Sequence, residues 1–250
     1  MKPHKPVLQV LCIAGRKPPK EKELYKMVTT EELDLTFQKV GNDFGFEAKA
    51  EFAPFRDLKI KWFRSYKWAE FTVSDYLKDA PENVIEGIAR TIFSKIKGTD
   101  ESYSDEVIEW LTSDEFVDSM QPTYISRDRR IGSPIGEHKD LQEALDRLKE
   151  KGLFKTDLSR TKLFWSIKTK EEKPAWSSTL MRTVTVNKSL DSDDVPEEVL
   201  DYVLLNQIAF IECDFGMDPM DRQKTIEERV QKYPGFDGIT EWLNDRGLRA

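Results

Sequence analysis

One segment, Val195 to Asp214 (VPEEVLDYVLLNQIAFIECD), sets the terms for everything around it. Pro196 falls in the first helical turn, where a missing N–H costs nothing, and Glu197 and Glu198 complement the positive end of the helix dipole. From Val199 to Ile211 apolar side chains occur on nearly every side, and after Asp201 only Asn206 and Gln207 are polar. A helix that is apolar all round is a buried helix. The segment has to be the central helix of its domain, and the remainder of the chain must supply the elements that cover it.

The bulk numbers narrow the class. The 250 residues fit one large domain or two small ones, and a hydrophobic content of 38% with 14 Phe and 6 Trp is ample for a core. A net charge of −7 argues against general binding to nucleic acid or anionic membrane, local patches aside. Cys12 and Cys213 are too few for a disulfide framework, which fits a reducing compartment. The longest apolar run, about a dozen residues, falls short of the ~20 needed to span a bilayer. Val7 to Ala14 is brief for a signal peptide, and Gly15 to Pro19 is a poor cleavage region. The expectation is a cytoplasmic protein with no membrane partner.

In chain order, residues 1–28 read as a proline- and lysine-rich tail. Thr29 or Thr30 opens a helix with Leu33, Phe37 and Val40 on one face; Thr30 is the expected N-cap and Gly41 the stop. Phe46 to Phe52, Leu58 to Phe63 and Trp68 to Val73 alternate as strands, with a hairpin turn at Tyr66-Lys67. Pro81-Glu82 opens a helix to about Lys97. Ser104 to Met120 reads as one acidic-faced helix ended by Gln121-Pro122, and Tyr124 to Gly136 as a loop with Arg127, Arg129 and Arg130. His138 to Lys151 is an amphipathic helix stopped at Gly152. Lys162 to Lys168 and Met181 to Val186 are further strands, with Lys170 to Pro174 exposed between them. Two helices after a turn at Gly216 to Pro219 close the chain. The implied organisation is a tail (1–28), a hairpin–helix lobe (29–98), a helical connector (99–134) and a second lobe (135–250).

Two stretches follow one plan: Lys59 to Phe93, and Lys162 to Phe210. Each reads as a Trp-bearing strand, hairpin, strand, acidic turn, Pro-Glu and helix. Val73-Ser74 matches Val186-Asn187, Leu77 matches Leu190, Pro81-Glu82 matches Pro196-Glu197, and Val84-Ile85 matches Val199-Leu200. Either the hairpin–helix unit is duplicated, or shared physics makes two such units alike.

Gly136-Glu137-His138-Lys139-Asp140-Leu141, then Phe154, Trp165-Ser166, Val184 to Asp191 and Val195 to Val203 stand in the order that marks the SprT-like zinc metallopeptidases, in their M48-like branch. Over roughly residues 45–245 the chain resembles that family. The resemblance implies an α+β, zincin-like fold, with a β-hairpin and sheet packed on the buried helix. It also implies a catalytic position on that helix, where the family carries His-Glu-x-x-His. Here Asn206 replaces the first ligand, Gln207 the general base and Phe210 the second ligand, and no His stands near Asp221 to Gln223. The two histidines, His4 and His138, lie elsewhere. Zinc needs neutral imidazoles or equivalent donors, and a carboxamide cannot take a proton from a metal-bound water. The expected protein is a catalytically inactive metallopeptidase homologue without catalytic residue, metal or cofactor, kept for binding an unidentified protein or peptide partner.

Asn206, Gln207 and Phe210 are then the former-site positions, either a ligand pocket or a structural amide network, for buried amides need partners. Asp191, Asp193, Asp194, Glu212, Asp214, Asp218 and Asp221 crowd the ends of the helix. They are a solvated acidic face or, in the rival enzyme reading, the carboxylates of a divalent-cation-dependent hydrolase. Lys59, Lys61, Arg64 and Lys67 interleave with Trp62, Phe63, Tyr66 and Trp68. Such a pattern binds single-stranded nucleic acid by stacking, although strand alternation is expected to bury half of these aromatics. Cys213 has no base beside it in the sequence and is not expected to be a nucleophile.

Overall fold

The computed structural model describes residues 27–99, 101–154, 156–168, 172–213, 215 and 217–248; the tail with His4 and Cys12 lies outside them. The first half runs α1 (Thr30–Asp43), β1 (Glu47–Ala53), β2 (Ile60–Arg64), β3 (Trp68–Ser74), a 3₁₀ turn (Asp75–Leu77) and α2 (Glu82–Lys97). The cap of α1 is Thr29 and not Thr30. Its hydroxyl accepts from the Glu32 N–H while the Glu32 carboxylate accepts from the Thr29 N–H, a reciprocal pair that the Thr-x-x-Glu spacing allows only from Thr29. Gly41 does not stop the helix; it lies buried inside it, where a Cβ would stand 2.9 Å from the Ala48 Cβ. The helix ends at Asp43, and Gly45 reverses the chain at φ 77°.

In the first sheet the order is β1-β3-β2, with β1 parallel to β3 and β2 antiparallel to it. Ala48, Ala50, Ala69, Phe71 and Val73 point inward on alternate positions and meet Leu33 and Phe37 of α1 and Phe93 of α2. The Phe71 ring lies 4.8 Å from Phe37 and 5.0 Å from Phe93.

The second half repeats the order: α5 (Leu141–Glu150), β4 (Lys162–Trp165), β5 (Ala175–Ser178), β6 (Thr183–Val186), a 3₁₀ turn (Lys188–Leu190) and α6 (Glu197–Glu212). Its sheet is β4-β6-β5, again with the first strand parallel and the second antiparallel to the third. Two sequence expectations change here. β5, only four residues long, replaces what was read as part of a connecting hairpin. And β4 does not form a hairpin with β6: it takes the place of β1, so Lys162–Trp165 corresponds to the first strand of the other half and not to Ile60–Arg64. The matched positions after the third strand fall at equivalent places. Val73 and Val186 pair with Phe52 and Trp165, respectively, and Pro81 and Pro196 are the N-caps of two 16-residue helices.

Between the halves, the single helix expected over Ser104 to Met120 is two, α3 (Asp105–Thr112) and α4 (Asp114–Arg127). Ser113 separates them because its hydroxyl caps α4 through the Phe116 N–H. Pro122 does not end α4 but sits exposed inside it, so Tyr124 to Arg127 is helix and not loop. Continuing past the proline buries Tyr124 and leaves Gln121 clamped to the Met181 and Arg160 carbonyls, each at 2.9 Å.

Two apolar clusters result. The first takes in α1, the β1-β3-β2 sheet, α2 and the inner faces of α3 and α4. The second surrounds α6 with α5, its own sheet, α7 (Pro219–Val230) and α8 (Phe236–Asp245). Met181, from the turn between β5 and β6, belongs to the first cluster although its strands belong to the second. The next residue, Arg182, is held at φ 45° and bonds the Asp114 carboxylate at 2.9 Å. Among the described residues, no helix is long and apolar enough to cross a membrane.

Candidate functional site

The α6 helix is buried along most of its length, as its composition requires. Its one buried charge, Asp201, is 1% exposed and accepts from Arg147 at 2.7 Å and Lys151 at 2.9 Å, both on or beside α5. Two cations on one carboxylate meet the requirement that an interior charge be compensated. This triad fixes the rotation of α6 and thereby which residues face the other way.

What they face is a cleft of about 670 Å³. Tyr202, Val203, Asn206, Gln207 and Phe210 form its floor; Ala175, Trp176 and Ser177 of β5 form one wall; and Gln223, Ile226, Glu227 and Val230 of α7 form the other, with Phe236 and Thr240 at one end. The three positions singled out in the sequence therefore share one surface. Gln223, within the segment where a third ligand was looked for, joins them. The residues that the sequence did not announce are Trp176 and Ser177, because a four-residue strand gives almost no periodic signal, and the α7 set, because only tertiary structure brings that helix beside α6.

The cleft is polar in a specific manner. Burial pushes the pKa of the Tyr202 phenol up, and the neighbouring Asn206 amide offsets part of the rise. Gln223 donates to Glu227 at 2.6 Å. The Arg222 guanidinium lies 5.2 Å from the centre of the Phe210 ring, so one face of that ring carries a cation. The Trp176 Nε1 and Ser177 Oγ on the β5 wall are buried without a protein hydrogen-bond partner among the described residues. The Trp176 ring also stacks under Arg130 at 4.8 Å.

These donors do not suit zinc. The lining offers carboxamides, a phenol, hydroxyls and two carboxylates, Glu172 and Glu227, but no imidazole or thiolate. Among the described residues, no three His, Cys, Asp or Glu side chains are grouped to hold a metal ion. The acidic residues around α6 are dispersed into separate tasks. Asp191 accepts the backbone N–H groups of Glu137, His138 and Lys139 at 2.7, 2.9 and 2.9 Å. Burial alone would push that carboxyl up, but the three N–H donors outweigh it and hold its pKa below the usual carboxylate range. Asp193 meets His138 at 3.2 Å, Asp218 caps α7 through the Met220 N–H, and Glu212 is paired with Arg229. Asp194 is exposed, Asp221 is exposed on the first turn of α7, and Asp214 lies outside the described residues. Cys213 is buried, its thiol donating to the Ala209 carbonyl at 3.3 Å.

Gly136 stands at the back of this region for a steric reason. A Cβ there would come within 2.2 Å of the Lys139 carbonyl, 2.6 Å of the Trp165 indole nitrogen and 2.8 Å of the Asp191 carboxylate. The corresponding positions of the first half are used differently. The residues of α2 equivalent to Asn206 and Ala209, Thr91 and Ser94, are bonded instead to the following segment at the Ser102 carbonyl and the Glu101 N–H. No protein-family model, curated protein or solved structure matches this chain.

Proposed function

We propose that this chain is a catalytically inactive metallopeptidase homologue of the SprT-like, M48-like kind, in which the cleft beside α6 holds a small ligand or an extended peptide without cleaving it. The observation that carries the reading is that Asn206, Gln207, Phe210 and Gln223 line one open cleft of about 670 Å³ with no metal-binding donor set. Its size is within the range of ligand pockets, and its lining mixes apolar side chains with convergent amide and hydroxyl groups that can orient a ligand. The shared plan itself, down to strand order, supports a duplicated hairpin–helix unit.

The reading is tested on full-length protein purified without a histidine tag. Metal analysis is expected to find no stoichiometric zinc, and incubation with unstructured protein substrate to yield no cleavage. A thermal-shift screen of short peptides and metabolites is expected to give compounds that raise the midpoint of the wild type but not of Gln207→Leu, since a ligand stabilises only the state that binds it. Stoichiometric zinc with hydrolysis, or a midpoint raised by Mg²⁺, Ca²⁺ or Mn²⁺ together with cation-dependent hydrolysis, would overturn the proposal in favour of an enzyme.

A further inference from the structure

We infer that the β2–β3 hairpin is a docking surface for single-stranded nucleic acid, with Trp62, Phe63 and Tyr66 stacking on bases and Lys61, Arg64 and Lys67 meeting phosphates. The sequence expectation that alternation buries half of these aromatics fails: Trp62 is 43% exposed, Phe63 73%, Tyr66 97% and Trp68 43%. All eight residues from 61 to 68, KWFRSYKW, are exposed, and none is acidic. The register explains the failure. Phe63 pairs with Glu70, on the face away from the core, and Trp62 pairs with Phe71, on the core side but at the sheet edge, where the helices cover Phe71 and not Trp62.

Four large aromatics in eight exposed residues are more than solubility tolerates without a use. The charge says what covers them. In a chain of net charge −7, this hairpin is a cationic patch, and Lys59 and Lys61 extend it by lying 4.8 and 5.2 Å from the Phe55 ring centre. A second copy pairing along the β2 edge would bring the Lys61 and Arg64 cations of both copies close together, which disfavours self-association. A polyanion with flat, stackable faces satisfies both the cations and the rings. Glu47, paired with Trp68, and Glu70 lie on the outer face of the sheet. They leave Trp68 beside a carboxylate and confine the path to the β2 edge and the hairpin tip, past Trp62, Phe63 and Tyr66.

The test is fluorescence anisotropy of labelled oligo-dT and oligo-rU with the full chain at rising salt. Binding is expected at low salt, weakening with a log–log slope of about −2 for three phosphate contacts, and the matching duplex should bind more weakly. Phe63→Ala and Tyr66→Ala are each expected to weaken binding about tenfold, with circular dichroism unchanged because both side chains are exposed. Lys61→Glu with Arg64→Glu should abolish it. No binding at low salt, binding indifferent to the two aromatic substitutions, equal competition by poly-glutamate, or dimerisation lost on Tyr66→Ala would each overturn the inference.

Discussion

Replacing Asp191 by alanine removes a carboxylate that holds the entry to α5 against the end of the second sheet. Three backbone N–H groups, from Glu137, His138 and Lys139, lose their acceptor at once. Hydrogen bonds to charged groups contribute ~1.5–3 kcal/mol each, and the exposed side of the 137–139 segment lets water recover part of that, so the net loss should be about 3–5 kcal/mol. For a chain of this size that corresponds to a fall in midpoint of roughly 10 °C. Asp191→Asn keeps one acceptor oxygen and loses the charge, and should cost about half as much. The pH dependence gives a second handle. The folded-state pKa of Asp191 lies below its ordinary 3.8. Its contribution is therefore complete above that ordinary value and disappears as pH falls through the lower folded-state value. Urea unfolding at pH 7 and across pH 2–5 should show a wild-type loss of stability with acid that Asp191→Asn lessens. A cost below about 1 kcal/mol for Asp191→Ala, or identical acid profiles for wild type and Asp191→Asn, would refute the reasoning.

Three further outcomes follow from the same geometry. Asp201→Ala removes the shared acceptor of Arg147 and Lys151, which are partly exposed and can turn to water, and should cost about 1–3 kcal/mol in urea unfolding, whereas Asp201→Leu with Arg147→Met should recover much of it. Gly136→Ala forces a Cβ into contact with the Lys139 carbonyl and the Trp165 indole; it should destabilise by ~2 kcal/mol or more, measured the same way. Pro122→Ala restores a helical N–H in the middle of α4 at an exposed position and should stabilise the chain by ~1–3 kcal/mol, read as a higher urea midpoint.

The helices were legible where local chemistry and burial agree. The all-round apolar run of α6, the Leu141-Leu145-Leu148 stripe of α5 and the Val84-Ile85-Ile88 stripe of α2 each state their own period, whereas the caps at Asp140 and Ser113 went unread because a continuous helix was expected through both. What the sequence did not state is pairing. That β1 lies parallel to β3, and β4 to β6, depends on contacts made after an intervening strand, and alternation along one strand says nothing about which neighbour it chooses. β5 went unseen for a related reason: Ala175-Trp176-Ser177-Ser178 owes its conformation to β6 and not to its own propensity. Pro122 was read by its local rule, which the burial of Tyr124 and the grip of Gln121 on Met181 override. At the candidate site the identity of the floor residues was visible, because α6 is one continuous element. The walls come from β5 and α7, and only tertiary structure brings those to the same place.

Met181 carries a consequence for synthesis. The amino-terminal half leaves the ribosome first, with α1, α2 and their sheet able to form at once, yet the side chain that completes its interior is supplied from the turn between β5 and β6. Until that turn emerges, the apolar cluster that includes Phe116, Met120 and Tyr124 lacks one of its fully buried members. The two halves thus mature together, the younger one inserting the plug that closes the older.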